Sequence, residues 1–167
     1  MGYASPVDSF DDFVARLPTA MLVVTVRAPA SGEPLGCLVG FATQTSIDPP
    51  RFAVCLSRVN RTYREGRDAA VLAVHVVPDD RTDLAELFGG HTGDEEDKFS
   101  RVGWHEGPEG VPVLDVCDSR LVGRVLWRRD AGDHDVFVLE PIAVHVEPDE
   151  RALGLDRAKD IDPGHPA

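Results

Sequence analysis

The chain has 167 residues, enough for one domain with a real core, and 43% of them are hydrophobic. Its formal charge of −12, from 29 acidic and 17 basic residues, excludes nucleic acid as a primary partner, because neutralising phosphates needs a basic face. No apolar run reaches the length of a membrane span, and Asp8, Asp11 and Asp12 stand where a secretory leader is basic and then apolar, so a cytoplasmic location is expected.

In chain order, the stretch Ser9 to Leu17 puts Phe10, Phe13, Val14 and Leu17 at helical spacing, with Ser9 as the N-cap and Pro18 as the stop. Met21 to Val26 is a nearly continuous apolar strand, expected to be covered on both faces. Ala28 to Pro34 is a turn. Leu35 to Thr45 and Phe52 to Ser57 are the next strands, parted by Asp48-Pro49-Pro50. Asn60 to Asp68 reads as a short arginine-rich helix, and Ala69 to Val77 as a valine-rich strand that Pro78 breaks.

Asp80 to Phe88 reads as a capped helix with Leu84, Leu87 and Phe88 inward. A glycine- and acid-rich loop follows from His91 to Asp97, with its carboxylates read as solvated. Lys98 to Trp104 fits neither period, and Gly107 to Pro112 is a turn. Ser119 to Trp127 alternates, with Trp127 assigned to the core face. Ala131 to His134 is a tight connection into the last strand, Asp135 to Val146, where Pro141 marks a bulge or an edge. On this reading residues 1–150 form one domain, and 151–167 form a polar tail without order from Asp160 onward.

About six strands with two or three short inserted helices favour a mainly β, closed or half-closed barrel over a doubly wound sheet. No GxGxxG joins a strand to a helix, so a Rossmann site is not supported. The three cysteines, Cys37, Cys55 and Cys117, form no CxxC, and Cys37 and Cys55 sit in apolar strands where a buried thiol is the default. His75 and His145 stand singly in strands, and no histidine pair has zinc-ligand spacing, so no metal site is expected.

The chemistry concentrates in residues 36–62. Gly40, Ala42, Thr43, Thr45 and Ser46 end an apolar strand before the Pro-Pro stop, so backbone N–H groups and hydroxyls are available to hold a phosphate or a flavin edge. The returning strand ends in a second polar cluster, Ser57, Asn60, Arg61 and Thr62, which includes a cation.

Five segments in order carry a family resemblance: Leu17 to Thr25; Thr45-Ser46-Ile47-Asp48-Pro49-Pro50; Leu84 to Phe88; Lys98 to Trp104 with Gly110 to Leu114; and Ala131-Gly132-Asp133-His134. Over Phe10 to Val146 the chain resembles the flavin reductase-like family of FMN-binding split barrels. The resemblance implies a homodimeric Greek-key split barrel that binds FMN, with FAD also accommodated. It implies reduction of that flavin by NAD(P)H, in some members to supply a separate monooxygenase. On this resemblance Val39, Gly40, Phe41, Ala42, Thr43, Gln44, Thr45 and Ser46 line the flavin, Cys55, Leu56, Ser57, Asn60, Arg61 and Thr62 continue the site, and Arg61 pairs with the phosphate. His134 is the residue that meets the nicotinamide. Leu38, Phe41, Gln44 and Gly123 depart from residues common in the family. Two other readings share the fold: a non-catalytic flavin carrier, and a barrel for a different planar ligand such as a deazaflavin or haem.

Overall fold

The computed structural model describes residues 6–164; the first five residues and the last three of the expected tail lie outside it. The first helix, α1 (Pro6–Val14), begins three residues before the expected cap. Proline fits the first helical position because its missing N–H has no partner to lose there, so Ser9 falls inside the helix and caps nothing.

Among the described residues nine strands follow: β1 (Leu22–Arg27), β2 (Pro34–Val39), β3 (Ala42–Ser46), β4 (Arg51–Ser57), β5 (Val71–Val76), β6 (Trp104–Glu106), β7 (Pro112–Leu114), β8 (Arg120–Asp130) and β9 (His134–His145). Seven form one sheet in the order β2-β1-β5-β8-β9-β4-β3, with every neighbouring pair antiparallel. The sheet curls on itself. Leu35, Cys37 and Val39 of β2, near one end of the order, share a core with Val54 and Leu56 of β4, near the other. This is the expected split barrel. It has one strand more than expected because the stretch from Leu35 to Thr45 breaks at Gly40–Phe41 into β2 and β3.

Pro141 sits where the register of β8 and β9 shifts: Val122 pairs with Ala143 and Gly123 with Pro141. A residue without an N–H survives in this interior strand because the bulge removes its ladder bond. A Cβ on Gly123 would stand 2.7 Å from Leu139 Cβ, so close strand approach accounts for the glycine. A second shift between Val125 and Trp127 carries the end of β8 beyond the barrel. Trp127 is therefore half-exposed beneath the Arg129 guanidinium, not in the core.

A second layer covers β1 and β5. With α2 (Arg61–Gly66) set between β4 and β5, this layer contains α3 (Thr82–Gly89), a 3₁₀ turn (Lys98–Ser100), the β6–β7 hairpin and the segment after residue 150. Helix α3 starts after Arg81 with no side-chain cap, later than expected. The expected tail is folded as far as it is described. Leu153 is fully buried, its N–H donates to Val77 O, and α4 (Leu155–Ala158) packs Ala158 into the second core. His75 pins the layers together: Nδ1–H donates to Val23 O at 3.0 Å and Nε2 accepts from Leu114 N at 3.1 Å. Burial pushes its pKa down to about 4, so the ring is neutral and its tautomer fixed.

Candidate functional site

Strand alternation decides which residues of β4 face outward from the barrel. Cys55 and Ser57 point into a cavity of about 410 Å³, while Leu56 points into the core and is 1% exposed. The end of β2 and the break after it add Leu38, Val39, Gly40 and Phe41. The tight β8–β9 turn, with Gly132 at φ 114°, delivers His134 to the same mouth. The Phe41 and His134 rings stand 5.1 Å apart, tilted by 55°. The far wall is the C-terminal segment, through Leu155, Ala158, Ile161 and Pro163.

The wall is mostly apolar and contains one orphaned donor. Ser57 is 7% exposed, and its Oγ has no hydrogen-bond partner. Such a group is costly to bury unless a ligand satisfies it. A flat heteroaromatic ring with carbonyl and ring-nitrogen acceptors supplies both the stacking surface and the missing partner, so the residues present fit a flavin. His134 Nδ1 lies 2.7 Å from Asp133 Oδ1, which holds the ring and leaves Nε2 for a ligand; the same contact lowers the Asp133 pKa.

A narrow polar neck of about 40 Å³ adjoins the cavity at Asn60 and is lined by Cys37, Arg61, Thr62, Thr92, Gly93 and Lys98, among others. The cations here differ in kind. Arg61 is spoken for: Nε meets Glu65 at 2.7 Å, Nη2 meets Glu33 at 2.6 Å, and Nη1 donates to Gly93 O at 2.9 Å. Arg58 is held by Asp130 and Asp135, both at 2.6 Å. Asp135 also accepts from Tyr63 Oη at 2.8 Å. Burial raises its pKa, but the bonds from Arg58 and Tyr63 outweigh this and hold it below the usual range.

Lys98 is the exception. It is 6% exposed, its Nζ donates to Phe88 O at 3.0 Å, and among the described residues no carboxylate pairs with it. Burial lowers its pKa, opposed by Cys37 and Glu96. A buried ammonium with unused N–H groups in a neck is the group that a ligand phosphate would compensate.

Of the residues expected at the site, the cavity gathers Val39, Gly40, Phe41, Cys55, Ser57, Asn60 and His134, and the neck takes Arg61 and Thr62. Ala42, Thr43, Gln44, Thr45 and Ser46 line neither. They form an outer strand of the sheet; Thr43, Gln44 and Thr45 are exposed, and Gln44 bonds locally to Ser46 O. Cys37 and Cys117 are buried thiols with pKa values pushed up to about 11 and about 12, but Cys55 is half-buried at the cavity. Lys98 and the C-terminal wall were missed. Lys98 opens the Lys98 to Trp104 segment that carries part of the resemblance, but nothing local in the sequence marks it as unpaired.

Comparison with known proteins agrees with this fold. The model of the flavin reductase like domain matches residues 14–160. The FMN reductase (NADH) RutF 2 of Rhizobium rhizogenes is 32% identical over 148 residues, covering 86% of this chain and 82% of that protein. The stachydrine N-demethylase reductase subunit Stc3 of Rhizobium meliloti is 30% identical over 136 residues, covering 78% of this chain and 57% of that protein. The Streptomyces globisporus NADH:FAD oxidoreductase SgcE6 shares the fold, with a TM-score of 0.79 at 24% identity over 91% of this chain and 90% of that one. The chain belongs to the flavin reductase-like domain family.

Proposed function

We propose that the protein is an NADH-dependent flavin reductase that holds the flavin ring in the cavity between Phe41, Ser57, His134 and the C-terminal wall. The orphaned Ser57 hydroxyl in a mostly apolar slot carries this reading. When bound, a flavin supplies the chemistry, accepting hydride from a reduced nicotinamide.

The chain's own residues bind, orient and shield. Phe41, Leu155 and Ile161 present apolar surface that excludes water from the ring face. Ser57 Oγ donates to a ring acceptor, and Lys98 Nζ compensates the phosphate. His134 Nε2, on a ring oriented by Asp133, meets the nicotinamide. Hydride transfer to a flavin needs no general base from the chain.

Phe10 and Phe13 on α1 and Leu17 just after it are exposed, as are Ile47, Val144 and Val146, which supports a homodimer that buries them. One relative is named as the reductase subunit of a demethylase, which supports supply of reduced flavin to a partner enzyme such as a monooxygenase. Among the described residues no helix is long and apolar enough to cross a membrane; we place the protein in the cytoplasm. Purified protein given NADH and FMN should consume NADH and quench FMN fluorescence on binding. FMN binding without NADH oxidation would favour the carrier reading instead.

A further inference from the structure

The register of the sheet sets three basic side chains in one row. His75 of β5 is opposite Arg120 of β8, and Arg120 is opposite His145 of β9. Directly opposed residues share a face, on strands about 4.8 Å apart, so the row runs along the face that the second layer covers. The next row on that face, Ala73, Val122 and Ala143, packs with Val113 of the β6–β7 hairpin. Within the hairpin His105 is opposite Val113 and so shares its face. A pocket of about 160 Å³ stays open between hairpin and sheet, lined by His105, Arg120 and His145 over Val113 and Val122. Val144, also in the lining, alternates with this row, so its side chain belongs to the other face of β9.

The charge of this pocket runs against that of the chain. The formal charge is −12, yet no carboxylate lines the pocket. Elsewhere arginines meet carboxylates, as Arg27 meets Glu106 and Arg124 meets Glu109. Arg120 is half-buried and meets only carbonyls: Nη1 donates to Asp118 O at 3.1 Å and to Cys117 O at 3.3 Å, and among the described residues Nε and Nη2 have no hydrogen-bond partner. Those two groups form one edge of the guanidinium, the fork that fits two oxygens of an oxyanion. His105 Nδ1 is held by Asp115 Oδ1 at 2.6 Å, which leaves Nε2 for a ligand. Burial is the main reason that the His75 pKa is low, and the charges of Arg120 and His105 lower it further, so the positive field here is not cancelled.

We propose that this pocket binds a phosphate group, with two oxygens on the Nε–Nη2 edge of Arg120, a third accepting from His145, and a phosphate O–H donating to His105 Nε2. A volume of about 160 Å³ suits a tetrahedral ion and falls below the roughly 300 Å³ at which sites for drug-sized ligands begin. The pocket shares no lining residue with the flavin cavity or its neck, so it stands apart from that site.

Calorimetric titration of FMN-saturated protein with inorganic phosphate tests this, at an ionic strength held constant with chloride. Saturating FMN keeps the phosphate away from the neck. Wild-type protein should bind with a dissociation constant of about 1 mM or tighter. Arg120→Met should weaken binding about tenfold or more, the loss expected for a charge-assisted fork. His145→Glu, at an exposed position, should abolish it by placing a carboxylate on the rim, and this variant reads the site even if Arg120→Met fails to fold. Lys98→Met should leave phosphate binding within about twofold of wild type, because the neck is a separate place. Glycerol 3-phosphate as a second titrant separates the sources: equal affinity assigns the pocket to a phosphate carried on a metabolite, weaker binding assigns it to the free ion, and either supports the pocket. No phosphate binding by the wild type, or binding that survives both Arg120→Met and His145→Glu, would overturn the proposal.

Discussion

Strand β3 and the cavity wall differ in a way that inverts the intuitive reading of this chain. β3 carries Thr43, Gln44, Thr45 and Ser46, the most polar and donor-rich run near the turn, yet it lies on an outer strand and lines neither the cavity nor the neck. The cavity wall is built from Val39, Phe41, Cys55 and a distant C-terminal segment, and holds one buried hydroxyl without a partner. The two arginines nearby and Lys98 repeat the contrast: Arg58 and Arg61 are neutralised by carboxylates, and Lys98 is not. An exposed donor already has water, and a paired cation already has its anion. A buried donor or cation without a partner gains most from a ligand.

The largest expected effect falls on the buried His75. His75 is satisfied on both ring nitrogens as a neutral ring, and its folded pKa of about 4 lies below its unfolded value. Its contribution is therefore present above about pH 6.5 and is lost as pH falls toward 4, by about 3 kcal/mol across that window. Asp135, also depressed, adds a loss at still lower pH. Denaturant unfolding of wild type and His75→Gln at pH 7 and pH 4.5 checks this: the wild type should lose markedly more stability on acidification, and parallel losses would refute the assignment.

The next contrast sets the two cations of the neck against each other. Lys98→Met should weaken FMN binding about tenfold or more, because a charge-assisted phosphate contact is lost. Arg61→Met should weaken it less than about threefold. Lys98→Met should also leave the unfolding midpoint unchanged or raised, since it removes an uncompensated buried charge. Titrating both variants with FMN and melting them reads both quantities.

A smaller effect separates the two serines. Ser57→Ala should cost about 1 kcal/mol of flavin binding, a few-fold in affinity, and Ser46→Ala should cost nothing measurable. The smallest involves His134, which the proposed function sets against the nicotinamide and not the phosphate. His134→Ala should raise the KM for NADH with FMN affinity near wild type. A fall in melting temperature with unaltered NADH kinetics would make it only a turn residue.

Most of the barrel was legible in the sequence, because strands announce themselves locally. The valines of β1 and β5 and the alternation in β8 set the sheet, and Pro141 marked its bulge. The turn at Gly132 and the placement of His134 were also readable from a short motif. What escaped depends on contacts between distant residues. The break at Gly40–Phe41 sends Thr43 to Ser46 away from the cavity, and no period in the sequence announces it. The burial of Leu153 depends on Met21 and Val77, more than seventy residues earlier, which exchange backbone bonds with it. Whether Arg61 is free depends on Glu33 and Gly93, about thirty residues away on either side. Pairing across such separations is what decides the site.

The central claim is that a flavin ring occupies the cavity bounded by Cys55, Ser57 and the C-terminal wall. Cys55 offers the most direct test, because it is the one half-buried thiol there, while Cys37 and Cys117 are buried. Alkylation of the native protein at mildly alkaline pH, followed by peptide mass spectrometry, measures its accessibility. Saturating FMN should slow Cys55 labelling by about tenfold while ribose 5-phosphate, a sugar phosphate without the flavin's fused ring system, leaves it unchanged. Labelling of Cys55 at the same rate with and without bound FMN would contradict the account.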